Sequence, residues 1–272
     1  MQTITGLGSC RIVTPIRRGA PRQGFRMNHV RNYGFVHSSA EVVQQARFMR
    51  GEWQPDPRIW PLISPKRDLL EMLGREHVVS DVYIVEISSL KDVSLGEARI
   101  QLNYLSRAFP SLFADAPLRS RFWAEVRKND HSSLAAFLLD CQQKGLITPE
   151  EAEVLVQIRL TPMSVEDIRK DVEWLLRVLP KVVFVTHVQA KLPDGSDLPE
   201  GVQLIDTVRT AVQAAGGLVY DPTDLMLSVG QDHAMEHDSL THYRDDFADR
   251  LFDDLHDRLL APDDGSADVR VP

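Results

Sequence analysis

The amino-acid sequence predicts an α/β protein with a central parallel sheet and helices on both faces. Apolar, β-branched runs such as "DVYIVEIS" (81–88) and "KVVFVTH" (181–187) are typical of buried strands. Segments with apolar residues at helical spacing separate these runs, as crossovers in a parallel sheet require. With 272 residues, 43% of them hydrophobic, the chain is long enough to build one large core.

The predicted elements follow one another along the chain. Five strands are expected, at 2–7, 32–36, 81–88, 181–187 and 218–222. The segment 11–30, rich in Arg, Pro and Gly, is expected to form a loop or a broken helix. Ser38 and Glu41 have the spacing of a capping box, and Ser164 is the expected cap of a helix that Pro180 ends.

The stretch between the third and fourth strands is longer than a crossover needs. Residues 96–165 are therefore predicted to be a helical insertion in a single domain that spans residues 1–261. A final helix is expected from about Tyr243, where apolar residues recur every fourth position. Residues 262–272 are expected to be a disordered tail.

Composition excludes several classes of protein. A formal net charge of −8 argues against a large nucleic-acid footprint, which needs a basic face. No apolar stretch approaches the length of a membrane span, and the first residues do not resemble a signal peptide. Cys10 and Cys141 are too few for a disulfide framework. A cytoplasmic protein without a cofactor is expected, whereas its oligomeric state stays open.

The candidate chemistry begins with "LGSC" at residues 7–10, where the first strand ends. Polar groups at the carboxyl ends of parallel strands meet at one edge of the sheet. Ser9 is the candidate nucleophile there, because a turn that leads into a helix offers N–H groups to a developing oxyanion. The alternative interpretation is that Gly8 and Ser9 only form a strand-to-helix turn.

A second candidate lies before the last helix. His242 is the candidate base for a serine hydroxyl, and Asp238 precedes it by four positions. A polar loop without catalytic function is the alternative for this segment.

The combination of Ser9 near the start and a His with an upstream Asp near the end resembles the SGNH (GDSL-like) hydrolase superfamily. The "LGSC" form is similar to the GSCFA-type branch, and the resemblance covers residues 2–45, 80–90 and 181–260. It implies a flavodoxin-like three-layer sandwich. It also implies serine-dependent acyl transfer, by an esterase or an O-acyltransferase, on an acylated or sugar-type substrate.

The resemblance also implies site roles. Ser9 would be the nucleophile and would provide one oxyanion N–H, and His242 would be the base. Gly34, with Asn32, would occupy the place of the second oxyanion donor. The Gly-x-Asn-Asp that the superfamily carries after the third strand is missing here, so Ser88 or its neighbour Ser89 would be the substitute donor; the alternative is that this donor is absent.

The acid of the triad departs from the pattern of the superfamily. The superfamily has the acid three positions before the His, where this chain has Ser239. Asp238, which lies four positions before His242, is therefore the candidate acid that orients its imidazole. A backbone carbonyl is the alternative.

The Arg-rich segment 11–31 is the candidate anion site. Arg11, His37 and His187 are the candidate substrate contacts, for a small-molecule or saccharide substrate or an anionic acyl donor. One alternative is a solvated loop whose arginines pair with the acidic C-terminal helix. If the chain is not a serine enzyme, this segment predicts a protein that binds an anionic ligand.

Two further motifs carry alternative chemistry. The "HAMEH" stretch has the His-x-x-Glu-His pattern of a zinc peptidase, in which His233 and His237 would share one helix face. A third ligand has little room in the chain that follows, so no metal is expected. Cys10 is a possible thiol nucleophile, although a small buried side chain is the favoured interpretation.

Overall fold

The computed structural model describes residues 1–64, 67–236, 240 and 242–261. Within them the chain forms eight strands: β1 (Gln2–Leu7), β2 (Phe25–Met27), β3 (Val82–Glu86), β4 (Lys91–Leu95), β5 (Ala98–Arg99), β6 (Ile158–Pro162), β7 (Lys181–Val185) and β8 (Leu218–Tyr220). It also forms fourteen α-helices: α1 (Cys10–Gly19), α2 (Ser39–Met49), α3 (Trp60–Ile63), α4 (Leu69–Leu73), α5 (Leu102–Ala108), α6 (Pro110–Phe113), α7 (Ala116–Arg127), α8 (His131–Gln143), α9 (Pro149–Leu155), α10 (Val165–Val178), α11 (Pro199–Ala214), α12 (Thr223–Val229), α13 (Gln231–Ala234) and α14 (Asp245–Leu255), followed by a π-helical turn (His256–Leu260).

The central sheet has five parallel strands in the order β2-β1-β3-β7-β8. Counted along the chain, this is the order 2-1-3-4-5 of flavodoxin-like sheets. Helices α1 and α14 cover one face of the sheet, and α2, α10 and α11 lie on the other. The predicted fold class is confirmed.

The expected strand at 32–36 is wrong. These residues form no ladder, and the second strand is the three-residue β2 instead. Val36 only donates its N–H to the Gly8 carbonyl, at 3.2 Å, and Gly34 has a φ of +144°, which regular strands do not adopt. The segment 11–30 also contains more structure than expected, because α1 forms with Pro15 inside it.

The segment 96–165 contains helices α5 to α9, but a small antiparallel sheet accompanies them. Strand β4 lies between β5 and β6, and only four residues separate the end of β3 from the start of β4. Alternate residues Val93 and Leu95 of β4 are buried in the same apolar cluster as Tyr83 and Val85 of β3. This segment therefore extends the core on one face of the central sheet.

The ends of the described helices follow the predicted signals. Ser38 and Ser164 cap α2 and α10 through their side-chain oxygens. Helix α14 begins two residues after the predicted start. The predicted tail, 262–272, lies outside the described residues. Among the residues described, we find no helix that combines the length and the apolar character needed to cross a membrane.

Candidate active site

Ser9 stands where β1 ends and α1 begins, at the carboxyl edge of the sheet. It is the N-cap of α1, and its Oγ accepts the Arg11 N–H at 3.2 Å. The residue is 3% exposed. A serine at this position satisfies a first-turn N–H of the helix and presents its hydroxyl to the neighbouring strand ends.

The partner of this hydroxyl is Glu86, the last residue of β3. Its Oε2 accepts the Ser9 hydroxyl at 2.6 Å and the Ser9 backbone N–H at 2.7 Å. Its Oε1 accepts the Nε–H of Arg11 at 2.8 Å. Glu86 is 2% exposed, so this cluster of Ser9, Arg11 and Glu86 is almost closed to solvent.

Gly8 is part of the same arrangement. A Cβ at this position would lie 2.7 Å from the Glu86 Cβ and 2.6 Å from the Ile12 Cγ2. Contacts that short do not occur between real side chains, so the Glu86 side chain packs directly on the glycine backbone. Gly8, Ser9 and Arg11 thus all contact one carboxylate, which explains three of the four residues of "GSCR".

Burial and the neighbouring positive charge shift the pKa of Glu86 in opposite directions. Burial alone raises the pKa of a carboxyl group, but the Arg11 guanidinium and the hydrogen bonds from Ser9 outweigh it. The pKa of Glu86 therefore lies below its usual value, and the carboxylate is ionised at neutral pH. In this form it is an acceptor only, so the Ser9 hydroxyl must donate to it.

Two predicted substrate contacts, His37 and His187, lie near this cluster. Burial lowers the pKa of both imidazoles, with Glu86 opposing the effect and Arg11 adding to it. The Nδ1 of His37 lies 3.1 Å from the Ser88 hydroxyl, and the Nδ1 of His187 lies 2.9 Å from the Val188 carbonyl. Both rings are therefore neutral at neutral pH.

The predicted oxyanion donors already have acceptors within the protein. Ser9 gives its N–H to Glu86, and Gly34 gives its N–H to the Asn32 Oδ1 at 3.1 Å. Ser88 donates its N–H to the His37 carbonyl at 2.8 Å, and one amide hydrogen of Asn32 goes to the Gly6 carbonyl. The assignment of these residues to an oxyanion hole stays a prediction, and in this conformation it would require these bonds to be exchanged.

A cavity of about 260 Å³ lies beside the serine turn. It is lined by Cys10, Arg11, Thr14, Pro15, Arg17, Glu236, His242, Tyr243, Asp245 and Ala248. His242 is exposed, and its carbonyl accepts the Glu236 N–H at 3.0 Å. The structure thus brings His242 to the same rim as the turn that carries Ser9. Asp238, the candidate acid, lies outside the described residues.

Part of the Arg-rich segment is paired within the protein. Arg18 and Arg22 form ion pairs with Asp249 of α14, and Arg22 also reaches Asp253. This matches the predicted alternative in which the segment pairs with the acidic C-terminal helix. Arg17 lines the cavity beside His242 and is the exposed cation of that wall.

The "HAMEH" stretch does not form one helix. Helix α13 ends at Ala234, because Met235 is extended and bridges to Tyr243. His233 is exposed on that short helix, and His237 lies outside the described residues. In the part of the chain that the structure describes, no three His, Cys, Asp or Glu side chains gather as a metal site would require. The helix that would place His233 and His237 on one face is therefore interrupted after Ala234.

Glu41, next to the candidate site, predicts a pH-dependent stability. It is buried on α2, and its Oε2 accepts the His37 N–H at 3.0 Å. Burial raises its pKa to about 8. The folded chain thus keeps a proton that the unfolded chain releases above about pH 4.5. This carboxyl group therefore lowers stability as pH rises through that window.

We expect the Glu41→Gln variant to be more stable than the wild type at about pH 8, by roughly 1–3 kcal/mol. The difference should shrink towards about pH 4, where the wild-type carboxyl group is protonated when folded and mostly so when unfolded. Urea unfolding at the two pH values measures both quantities. A stability difference of the same size at both pH values would contradict the raised pKa of Glu41.

Comparisons with known proteins add to this geometry. A family model described as the TviD N-terminal domain matches residues 2–258. A Vi polysaccharide biosynthesis protein, TviD, from Salmonella typhi is 33% identical over 256 residues, which cover 92% of this chain and 31% of that protein. The chain therefore spans about a third of the length of this relative.

Two solved structures align with nearly the whole chain. A catalytic mutant of Axe2, an acetylxylan esterase from Geobacillus stearothermophilus, has a TM-score of 0.42 at 7% identity, covering 96% of this chain and 95% of that one. Another Axe2 mutant, described as an acetyl-xylooligosaccharide esterase from Geobacillus, has a TM-score of 0.42 at 9% identity, covering 100% and 97%.

Proposed function

Because the chain belongs to the TviD N-terminal domain family, we propose that it transfers acyl groups to or from a saccharide through Ser9. The relative is named for polysaccharide biosynthesis, which favours a saccharide substrate. The observation that carries the proposal is the serine itself. Its hydroxyl lies at the carboxyl edge of a flavodoxin-like sheet, hydrogen-bonded to an ionised carboxylate and beside a cavity that His242 lines.

The local structure supports a nucleophilic role for Ser9. It caps a ten-residue helix, whose N-terminus favours negative charge on a group bound there. The Arg11 guanidinium adds a positive charge within the same turn. Both effects would stabilise the oxyanion that forms when Ser9 attacks an acyl carbonyl.

The proposed reaction has two halves. The Ser9 Oγ first forms an ester with the acyl group, and an alcohol leaves. A second hydroxyl then takes the acyl group from Ser9. Water as this acceptor gives an ester hydrolase, and a sugar hydroxyl gives an O-acyltransferase. His242, exposed in the cavity, is the proposed base that takes the proton of the second hydroxyl.

The finer predictions belong to the same proposal. Assignment to the SGNH superfamily, and within it to the GSCFA-type branch, stays a prediction, as does a single domain over residues 1–261. Arg11, His37 and His187 are the proposed substrate contacts, and Asp238 is the proposed orienting acid. A cytoplasmic location is part of the proposal as well.

A fluorophosphonate probe tests the proposal, because it forms a stable adduct with an activated serine. We expect mass spectrometry to locate one adduct on Ser9 of the wild type and none in the Ser9→Ala variant. A Cys10→Ala variant is the matched control, since Cys10 is adjacent and lines the cavity. It should be labelled like the wild type. An unlabelled wild type, or an adduct on Cys10, would overturn the serine mechanism.

A further inference from the structure

We propose that Glu86 takes the hydroxyl proton of Ser9 when this serine attacks an acyl group. This inference rests on the proposed function, since it needs Ser9 as the nucleophile. It assigns a catalytic role to a residue that the sequence places at the end of a strand without indicating its partner.

Distance is the first argument. A general base must lie within hydrogen-bond reach of the proton that it takes, and the Glu86 Oε2 lies 2.6 Å from the Ser9 Oγ. A hydroxyl has one hydrogen, and an ionised carboxylate only accepts. The hydrogen of Ser9 is therefore already directed at Glu86. Among the described residues, Ser9 forms no hydrogen bond with an imidazole.

The surroundings hold the carboxylate in this position. Arg11 binds Oε1, so Oε2 faces the serine, and the Ser9 N–H fixes that oxygen a second time. The Gly8 backbone packs against the Glu86 Cβ, and a side chain at position 8 would displace Glu86. The base is thus held in position before a substrate arrives.

The step balances without a further reactant. A bond forms between the Ser9 Oγ and the acyl carbonyl carbon while the Oγ proton moves to the Glu86 Oε2. The bond from that carbon to the leaving oxygen then breaks, and the leaving oxygen takes the proton from Glu86. The carboxylate is ionised again at the end of this half-reaction.

A carboxylate base predicts a pH dependence that an imidazole base does not. The charged or titratable groups that face Glu86 are Arg11 of α1, His37 before α2, His187 after β7 and Tyr243 before α14, with Cys10 beside Arg11. Arg11 and the Ser9 bonds hold the pKa of Glu86 below its usual value. Glu86 therefore stays in its basic form at about pH 5, where an ordinary imidazole is protonated.

The experiment follows the rate of fluorophosphonate labelling at Ser9 against pH. We expect the wild type to keep most of its labelling rate at about pH 5. Glu86→Gln should lower the rate about 100-fold or more at neutral pH, and by more than His242→Ala does. Glu41→Gln is the matched control, since it makes the same change at another buried carboxyl group, and it should be labelled like the wild type.

Glu86→Gln leaves Arg11 buried without its carboxylate, so a second variant is needed. Arg11→Met combined with Glu86→Gln removes both charges and should fold, but it should show the same loss of labelling. A folded double variant that is labelled at the wild-type rate would overturn the proposal.

The pH profile of wild-type labelling distinguishes Glu86 from His242 as the base, without the two Glu86 variants. Labelling that disappears between about pH 7 and pH 5, and that His242→Ala abolishes, would assign the proton to His242 and leave Ser9 as the nucleophile. A wild type that is not labelled at Ser9 at any pH would overturn the proposed function and this assignment together.

Discussion

Replacing Arg11 with methionine is expected to lower the free energy of unfolding by about 3–5 kcal/mol. The guanidinium is 12% exposed and its partner Glu86 is 2% exposed, so both charges lie away from water. Methionine fills much of the same space but leaves the carboxylate buried without its cation. Removing one partner of a buried pair costs far more than removing both, because the remaining charge is uncompensated.

The same substitution reverses the pH dependence that Glu86 contributes. In the wild type its pKa is lowered, so its stabilising contribution is present above the unfolded value of about 4.5 and is lost as pH falls. Without Arg11, burial is the largest remaining influence on this carboxyl group, and we expect it to raise the pKa above the unfolded value. The folded state then holds the extra proton, and stability falls as pH rises.

Urea unfolding of three variants measures these effects. Arg11→Met should lose the most stability, and Arg11→Met with Glu86→Gln should recover most of that loss. Arg17→Met is the matched control, because Arg17 is an exposed arginine on the same helix, and it should change stability by less than about 0.5 kcal/mol. A double variant as unstable as Arg11→Met would show that packing, rather than charge, dominates.

Replacing Gly19 with alanine is expected to cost about 3 kcal/mol, at the upper end of overpacking. A Cβ at Gly19 would lie 2.4 Å from the Phe252 Cδ1 and 2.7 Å from the Phe252 Cβ. Both helices would have to separate, because the ring is fully buried and its Cβ is fixed to the backbone of α14. Helix α14 begins two residues after Tyr243, and its Asp245 and Ala248 line the cavity, so the cavity wall would move with it.

Thermal unfolding and fluorophosphonate labelling together check this prediction. The melting temperature should fall, and labelling at Ser9 should slow in the fraction that stays folded. Gly74→Ala is the matched control, since Gly74 has a φ of −71° and its Cβ would come no closer than 3.4 Å to its neighbours. Its melting temperature should stay close to that of the wild type. A Gly19→Ala protein as stable as Gly74→Ala would contradict the tight contact.

Four strands of the central sheet were predictable because each is a continuous apolar run bounded by turn residues. The predicted 2–7, 81–88, 181–187 and 218–222 match β1, β3, β7 and β8 to within two residues at either end. Strand β2 has only three residues, too few for a periodicity. The aromatic run at 32–36 has high strand propensity. It forms no ladder, however, and only the Val36 N–H bonds to the Gly8 carbonyl at the end of β1.

The small sheet and the partner of Ser9 depend on pairings that a pattern along the chain does not contain. Strand β4 pairs with β6, which begins more than 60 positions later, so neither strand has a local partner. Glu86 meets Ser9 because β3 lies beside β1 in the sheet, over a separation of 77 positions. The sequence places both residues at strand ends, but it does not indicate which strand ends are neighbours.

The pairing of α1 with α14 has a consequence for synthesis of the protein. Helix α1 leaves the ribosome well before α14, because Arg18 precedes its partner Asp249 by 231 positions. At about 5–20 residues per second, a ribosome needs roughly 10–50 s to produce that partner. Throughout this interval the apolar residues Ile12 and Ile16 lack their cover from Phe252. The nascent chain therefore exposes the apolar face of α1 throughout this interval. A chaperone that binds exposed apolar segments would have the most time to bind there.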